Sequence, residues 1–202
     1  MNKLSLFTLL SCCILFLGSC SKESQSIQTT DESNSNLTKA MMSLKTSDAR
    51  KASFADQLSN EEKISFVENR LNSVILELEL DENQIHLINE LKPFLKPELY
   101  IRGSKLNQDA IEFTIRWGER AIKLFSKEQL AYIFSFKTFD EFKQAATNVN
   151  IKSTTRAGVE DCDCSTQSDW CSAGTECGGP ACGFQSYACG TLYLWHCDGL
   201  CT

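Results

Sequence analysis

Positive charge is missing from the C-terminal end of this chain. Residues 157–202 contain no lysine and no arginine, whereas the whole chain has 20 of them. The same stretch carries six acidic side chains, so its formal charge of −6 equals that of the entire chain. Peptides that bind anionic membranes or nucleic acids by attraction are usually basic. We therefore expect no nucleic-acid partner and no electrostatic attack on membranes by this stretch.

Residues for catalysis are also scarce. There are two histidines, His86 and His196, and the sequence has no G-x-S-x-G, no H-E-x-x-H and no phosphate-binding loop. His86 lies beside an apolar helical stripe, where an exposed or hydrogen-bonded histidine is far more common than a catalytic one. The sequence therefore predicts no enzyme activity, no catalytic residue and no cofactor.

The longest apolar run is too short for a membrane-spanning helix. It extends from Leu4 to Leu17 and follows the positive start Met1-Asn2-Lys3, as in a secretory signal. Leu17-Gly18-Ser19-Cys20 then resembles a bacterial lipobox, in which the cysteine is diacylated and the chain is cut before it. We expect a lipid anchor at Cys20 and a location in the cell envelope, with the membrane face left open. An ordinary signal peptide cut elsewhere is the alternative.

Cysteine is concentrated at the C-terminus, which holds eight of the chain's eleven cysteines. Thiols oxidise outside the cytoplasm, so an exported cysteine cluster indicates disulfides, and we expect four bridges. Cys162 and Cys164 are too close in sequence to bond easily to each other. Zinc is the alternative, but the spacings lack the paired C-x2-C ligands typical of zinc sites. The expected disulfide cysteines are Cys162, Cys164, Cys171, Cys177, Cys182, Cys189, Cys197 and Cys201.

Helical patterns fill the middle of the chain. At four places a serine, threonine or aspartate precedes a glutamate or glutamine by three residues, which is the capping-box signature of a helix start. The four pairs are Ser59 and Glu62, Asp81 and Gln84, Ser126 and Gln129, and Thr138 and Glu141. We expect Asn107 to cap a further helix. The inward side of that helix would carry Ile111, Ile115, Ile122 and Phe125.

These patterns predict a mainly α fold, a small helical bundle, followed by a small disulfide-rich module of irregular and β structure. The helical part is long enough for a modest core, whereas the cysteine-rich part is too short to be stable without bridges. The expected divisions are a lipoprotein signal at 1–19, a polar spacer at 20–46, a helical domain at 47–151, a linker at 152–160 and a cysteine-rich module at 161–202.

The cysteine-rich module also contains five aromatic residues. Residues 191–197 alternate, which predicts a strand with Leu192 and Leu194 on one face and Tyr193 and Trp195 on the other. Large exposed aromatic side chains in a small fold mark a contact surface for a membrane interface or a receptor, unless they form the core of the module. The candidate contact residues are Trp170, Tyr193 and Trp195.

One string in the module is more specific than a cysteine count. It reads Cys162-Asp163-Cys164-Ser165-Thr166-Gln167-Ser168-Asp169-Trp170-Cys171. Together with Cys177, Cys182, Cys189-Gly190 and Tyr193-Leu194-Trp195-His196-Cys197, it resembles the fulvocin C-related proteins. Their cysteine module is similar to a small disulfide-rich bacteriocin. The resemblance covers 160–202 and implies an antibacterial activity for the module.

Three hypotheses for the function follow. The first is an exported, lipid-anchored precursor whose bacteriocin-like module is released by a cut at Arg156 or Gly158, in a polar segment of the kind that proteases cleave. Its helical domain would serve as leader, spacer or self-protection element. The second is an uncleaved, surface-anchored module that recognises a protein or a glycan as its surface ligand. A protease inhibitor is the third, although the tail offers no basic residue for trypsin-like enzymes.

Overall fold

The computed structural model describes residues 36–147, 162–171, 175–178, 182 and 186–202. Within these residues seven helices come first and short strands follow, which confirms the mainly helical fold with a small disulfide-rich end. No helix among them is long and apolar enough to cross a membrane. The helices are α1 (36–42), α2 (Ser47–Asp56), α3 (Asn60–Glu77), α4 (Glu82–Asn89), α5 (Lys105–Leu124), α6 (Lys127–Ile133) and α7 (Phe139–Thr147).

Local side-chain hydrogen bonds fix the starts of four helices. At α3 the Ser59 hydroxyl accepts from the backbone N–H of Glu62 at 3.3 Å, and the Glu62 carboxylate accepts from the N–H of Ser59 at 2.8 Å. Each of these bonds satisfies an N–H that has no acceptor within the helix. The same reciprocal pairs begin α4, α6 and α7, so all four capping boxes are confirmed.

Helix α5 begins earlier than the sequence indicated. Its cap is Ser104, whose hydroxyl accepts from the backbone N–H of Asn107 at 3.1 Å. The Asn107 side chain instead donates to the carbonyl of Leu99 at 2.8 Å. The prediction that Asn107 caps this helix was therefore wrong, because a serine three residues earlier offers the same acceptor and leaves the amide free for a neighbouring turn.

The inward face of α5 differs in part from the prediction: Phe125 is buried and Ile111 packs against the core as expected, but the other two isoleucines do not. Ile115 and Ile122 are 52% and 62% exposed, whereas Trp117 is fully buried and donates its indole N–H to the carbonyl of Leu87 at 2.8 Å. The other buried residues of this helix, Ala110, Thr114 and Ala121, are small, which allows close packing on that side. The size and the hydrogen bond of Trp117 thus set the orientation of the helix. Ile115 and Ile122, which were predicted to face inward, face the solvent instead.

The described residues of the module form two short antiparallel ribbons. β1 (Cys177–Gly178) pairs with β4 (Leu200–Cys201), and β2 (Ser186–Cys189) pairs with β3 (Trp195–Cys197). A 3-10 turn at Thr191–Tyr193 joins β2 to β3. The strand expected over 191–197 is therefore confined to its last three residues.

Backbone geometry explains this shortened strand. Gly190, Leu192 and Tyr193 have φ values of 68°, 56° and 57°, so the chain reverses where an extended segment was expected. Positive φ is costly for a leucine or a tyrosine, and such residues persist where the surrounding structure holds them. Here the reversal carries Leu192 and Tyr193 away from the module and into the helices, where both are buried.

Helices and module share one apolar core. A single cluster of buried side chains contains residues of α2, α3 and α6 together with Leu192, Tyr193, Leu194 and Trp195 of the module. A second, smaller cluster consists of bridged cysteines. The module thus contributes side chains to a core that consists mostly of helical residues.

A buried arginine ties α2 to α7 and to the backbone of two turns. Arg50 of α2 donates through Nη1 and Nη2 to the Glu141 carboxylate of α7, at 2.7 and 3.0 Å. It also donates to the carbonyls of Phe136 and Leu44. The hydrogen bond from Arg50 holds the pKa of Glu141 near 2, with further help from the N–H of Thr138. The charged form of Glu141 is therefore the one that the fold stabilises.

Acid should weaken the fold through Glu141. Its pKa is lowered to about 2 in the folded chain, against an ordinary value of 4.5, so its stabilising effect is complete above pH 4.5. That effect is lost as the pH falls from 4.5 towards 2, because the unfolded state takes up the proton first. We expect Glu141→Gln to be less stable than wild type at pH 7 and to lose less stability on acidification.

Urea unfolding followed by circular dichroism at several pH values measures this difference. Exposed Glu119 of α5 provides the matched control, and Glu119→Gln should follow the wild-type pH profile. An acid profile of Glu141→Gln identical to that of wild type would contradict the assignment.

Candidate functional site

All eight cysteines of the module are paired with one another. The bridges are Cys162–Cys182, Cys164–Cys177, Cys171–Cys201 and Cys189–Cys197. The four predicted bridges are confirmed, and Cys162 and Cys164 bond to different cysteines as expected. Every bridge closes within the module, so the covalent frame of the module does not include the helices.

Three of the module's sulfur atoms form a cluster. The Sγ atoms of Cys164, Cys171 and Cys201 lie within 4.8 Å of one another, a spacing that three metal ligands would need. All three belong to disulfides, and a disulfide sulfur is not the thiolate that zinc requires. The geometry of the described residues therefore favours two packed disulfides over the zinc alternative.

A glycine allows the backbone to lie directly against the Cys164–Cys177 bridge. A Cβ added at Gly199 would lie 2.6 Å from the Cys177 sulfur and 2.8 Å from the carbonyl of Gly178. The backbone of Gly199 also exchanges hydrogen bonds with Cys164, through its N–H and its carbonyl at 3.2 Å. No larger residue fits at this position without moving the backbone or a bridge.

The acidic side chains of the module serve as internal hydrogen-bond acceptors. The Asp169 carboxylate accepts from the backbone N–H groups of Cys171 and Cys177, at 2.8 and 3.0 Å. Asp163 accepts from the N–H of Cys201 at 2.9 Å, and Asp198 accepts from both the N–H and the hydroxyl of Thr166. These carboxylates satisfy N–H groups that short strands leave without acceptors.

Three cationic side chains of the helical part contact the module, which has no lysine or arginine. Lys51 of α2 donates to the carbonyl of Cys162 at 2.6 Å, and Lys127 of α6 donates to the carbonyl of Thr175. The guanidinium of Arg102 lies 3.3 Å above the ring of Tyr187. Three cations of the helical part thus contact the module directly, through two backbone carbonyls and one aromatic ring.

The Tyr193 side chain is the deepest contact of the module with the helices. Its ring centroid lies 4.7 Å from that of Phe136, 5.3 Å from Phe54 and 6.2 Å from Phe66. Its hydroxyl donates to the carbonyls of Ile133 and Ser135, each at 3.3 Å. Burial raises the pKa of the Tyr193 hydroxyl to about 12, so this group stays protonated as a donor.

Neighbouring contacts hold the same reversal in place. Tyr100 donates its hydroxyl to the carbonyl of Leu192 at 3.1 Å. The indole N–H of Trp170 donates to the Thr191 hydroxyl at 2.9 Å, and the Trp170 ring stacks on Phe134 of the helices at 5.8 Å. We call the contact surface between the module and the helices the seam. On the module side it includes Trp170 and the backbone reversal at Thr191–Tyr193.

The three candidate contact residues lie in this seam rather than on a free surface. Tyr193 and Trp195 are 3% and 6% exposed, and Trp170 is half-buried against the main core. This corrects the expectation of an exposed aromatic face in the intact chain, since the helices supply the cover that the module lacks. Cys20, Arg156 and Gly158 lie outside the described residues.

The two histidines lie apart from this aromatic cluster. His86 is exposed and its Nδ1 lies 3.2 Å from Glu90, while His196 packs edge-on against the Tyr187 ring. Sequence reasoning missed the seam, whose signal was weak: Phe54, Phe66 and Phe136 are aromatic residues at helical positions without an obvious common face.

Truncating Tyr193 should weaken the helices as well as the module. Tyr193→Ala removes a fully packed ring and two hydrogen bonds, so we expect a loss of about 3–5 kcal/mol in the free energy of unfolding. Chemical denaturation followed at the helical circular-dichroism signal measures this loss. Tyr187→Ala, at a 38% exposed tyrosine, should cost about 1 kcal/mol or less. A helical transition unchanged by Tyr193→Ala would show that the core is not shared.

Two glycine substitutions should have opposite effects. Gly199→Ala forces a Cβ against a bridge and the backbone, so oxidative refolding should yield fewer correctly bridged molecules. Gly118→Ala lies in α5, where the new Cβ meets the Trp170 ring at 3.5 Å, an ordinary contact distance. It should stabilise the chain by about 0.5–1 kcal/mol through helix propensity. Reversed-phase separation of refolded products and thermal unfolding test the pair, and equal refolding yields would contradict the close approach at Gly199.

Comparison with known proteins gives no relative for this chain. No protein-family model matches it, and neither a curated protein nor a solved structure does. The resemblance of the cysteine module to the fulvocin C-related proteins therefore stays a prediction from its residues.

Proposed function

We propose that this chain is an exported, lipid-anchored precursor that carries a disulfide-rich, bacteriocin-like antibacterial module at 161–202. The helices would keep the module inactive until it is released. The observation that carries this proposal is the cover over the aromatic side chains: Tyr193 and Trp195 are buried, with the Tyr193 ring among phenylalanines of the helices. A contact surface hidden in the precursor becomes available only when the module leaves.

Direct side-chain contacts support a protective role for the helices over a spacer role. A spacer needs no fitted surface, yet Lys51, Lys127 and Arg102 each contact the module directly. These cations face a module that has six acidic side chains and no basic one. An acidic module of this kind would act on a specific surface ligand of a target cell, since anionic membranes repel it.

The pattern of bridges supports release of an intact module. Because all four bridges join cysteines within Cys162–Cys201, a cut at Arg156 or Gly158 would leave the covalent frame complete. Each bridge typically contributes about 2–4 kcal/mol, which is large for a segment with so small a core. The released fragment would then keep its shape by covalent constraint.

A second candidate is an uncleaved, surface-anchored binding module that recognises a protein or a glycan. The shared core favours it, because removal of Tyr193 and Leu192 would leave apolar side chains of the helices uncovered. The intact chain would then be the working form, and the helices would present the module at the cell surface.

Intact-mass spectra of cell and medium fractions distinguish the two candidates. A free fragment starting near Val159, lighter than its reduced form by two hydrogens for each bridge, is the expected result for the precursor. Lipidated full-length chain as the sole form would favour the uncleaved module. Alkylation of the tail without prior reductant would contradict the bridges in either case.

Growth inhibition tests the antibacterial activity itself. The fragment released by proteolysis of the folded chain should slow or kill related strains, whereas the uncut chain should not. The same fragment after reduction and alkylation is the matched control and should be inactive, since its frame is lost. An oxidised fragment without effect on any related strain would overturn the proposal.

A further inference from the structure

A small cavity opens at the seam, at the edge of the buried Tyr193 ring. Its volume is about 90 Å³, and it receives residues from both the helices and the module. This is the volume of about three water molecules, at roughly 30 Å³ each, so it accommodates a ligand group of a few heavy atoms. The residues that matter here are Phe54, Lys63, Tyr100, Arg102, Tyr187 and Tyr193.

Two cations face this cavity. The half-buried Lys63 ammonium donates one hydrogen bond, to the carbonyl of Ala55 at 3.1 Å, which leaves two of its three N–H groups. Arg102 spreads its guanidinium over the Tyr187 ring and presents its N–H edge to the surroundings. Among the residues that the structure describes, neither cation forms an ion pair with a carboxylate.

The surroundings of Lys63 show that the two charges influence each other. Burial lowers the pKa of Lys63, the negative charge of Asp56 raises it, and the like charge of Arg102 lowers it again by a smaller amount. Two cations held near one cavity repel each other, and an anion placed between them removes that repulsion. The cavity is therefore suited to negative charge.

The floor of the cavity is apolar. The rings of Phe54, Tyr100 and Tyr193 line it, and since Phe54 and Tyr193 are only 1% and 3% exposed, Tyr100 offers most of the open surface among them. The Lys63 nitrogen lies 5.8 Å from the Phe54 ring centre and 6.0 Å from that of Tyr100. Both tyrosine hydroxyls are already engaged with backbone carbonyls. An inorganic anion would have to give up its hydration against these ring faces, whereas an alkyl group gains by covering them.

We propose that this cavity binds a carboxylate carried by a short alkyl group, with the oxygens between Lys63 and Arg102 and the alkyl part on the aromatic floor. The group could belong to a free small acid or to the glutamate side chain of a peptide. Since the lining comes from both sides of the seam, an occupied cavity holds the module more firmly to the helices. This binding site is independent of any antibacterial activity.

Titration calorimetry of the full-length oxidised chain with sodium propionate tests the proposal. Arg102→Gln and Lys63→Met should each weaken binding by about tenfold or more, the effect of losing one hydrogen bond to a charged group. The matched controls are Arg116→Gln and Lys123→Met, at exposed cations of α5, and they should bind as wild type does. Circular dichroism verifies folding, and Arg102→Gln, at an exposed residue, remains decisive if Lys63→Met fails to fold.

Further ligands separate the sources of the carboxylate. Propionamide and inorganic phosphate at equal ionic strength should not bind. Tighter binding of N-acetyl-glutamate amide than of propionate would identify a peptide side chain, and the reverse order would identify a free acid. Equal binding of propionamide, equal affinity of Arg102→Gln and wild type, or no binding of either carboxylate would overturn the proposal.

Discussion

The ring of Tyr193 holds the two parts of this protein together. It stands on a reversal of the backbone at Thr191–Tyr193, between two cysteines that are bridged to each other, Cys189 and Cys197. The bridge closes a short loop, with a sequence separation of 8, and this limits the conformations of the backbone that carries the Tyr193 ring. The cost of positive φ at Tyr193 is balanced by packing on Phe54 and Phe136.

The acidic side chains of the module stabilise its backbone. A fold with strands of two to four residues has few ladder hydrogen bonds, and its carboxylates take the place of the missing acceptors. Asp169 alone joins the N–H groups of Cys171 and Cys177, which belong to two different bridges. The rest of the chain has 20 basic and 20 acidic side chains, so the excess negative charge of the protein belongs to residues 157–202 alone.

Sequence reasoning succeeded where structure depends on neighbouring residues. The capping boxes at Ser59 and Thr138 were predictable because each forms between groups three residues apart. It failed at Ile115, since the choice of inward face on α5 depends on where the large Trp117 ring finds a carbonyl thirty residues earlier in the chain. The number of bridges was predicted from the cysteine count and an expected export, whereas their connectivity depends on the folded backbone.

The seam could not be predicted for the same physical reason. Alternation over 191–197 is typical of a strand, and only the helices beside it make a reversal at Tyr193 favourable. The candidate contact residues were expected on an exposed surface, but Tyr193 and Trp195 are buried. What covers these rings in the intact chain is the rest of the same protein.

The closure of every bridge within the module has a consequence for how the two parts separate. In an uncut chain the module meets the helices at a high effective concentration, set by the length of the connecting segment. After one cut between 147 and 162, the same contacts become an ordinary equilibrium between two molecules, because no disulfide crosses the seam. Dilution into the surroundings would then suffice to part them, while a crowded cell surface would keep them joined.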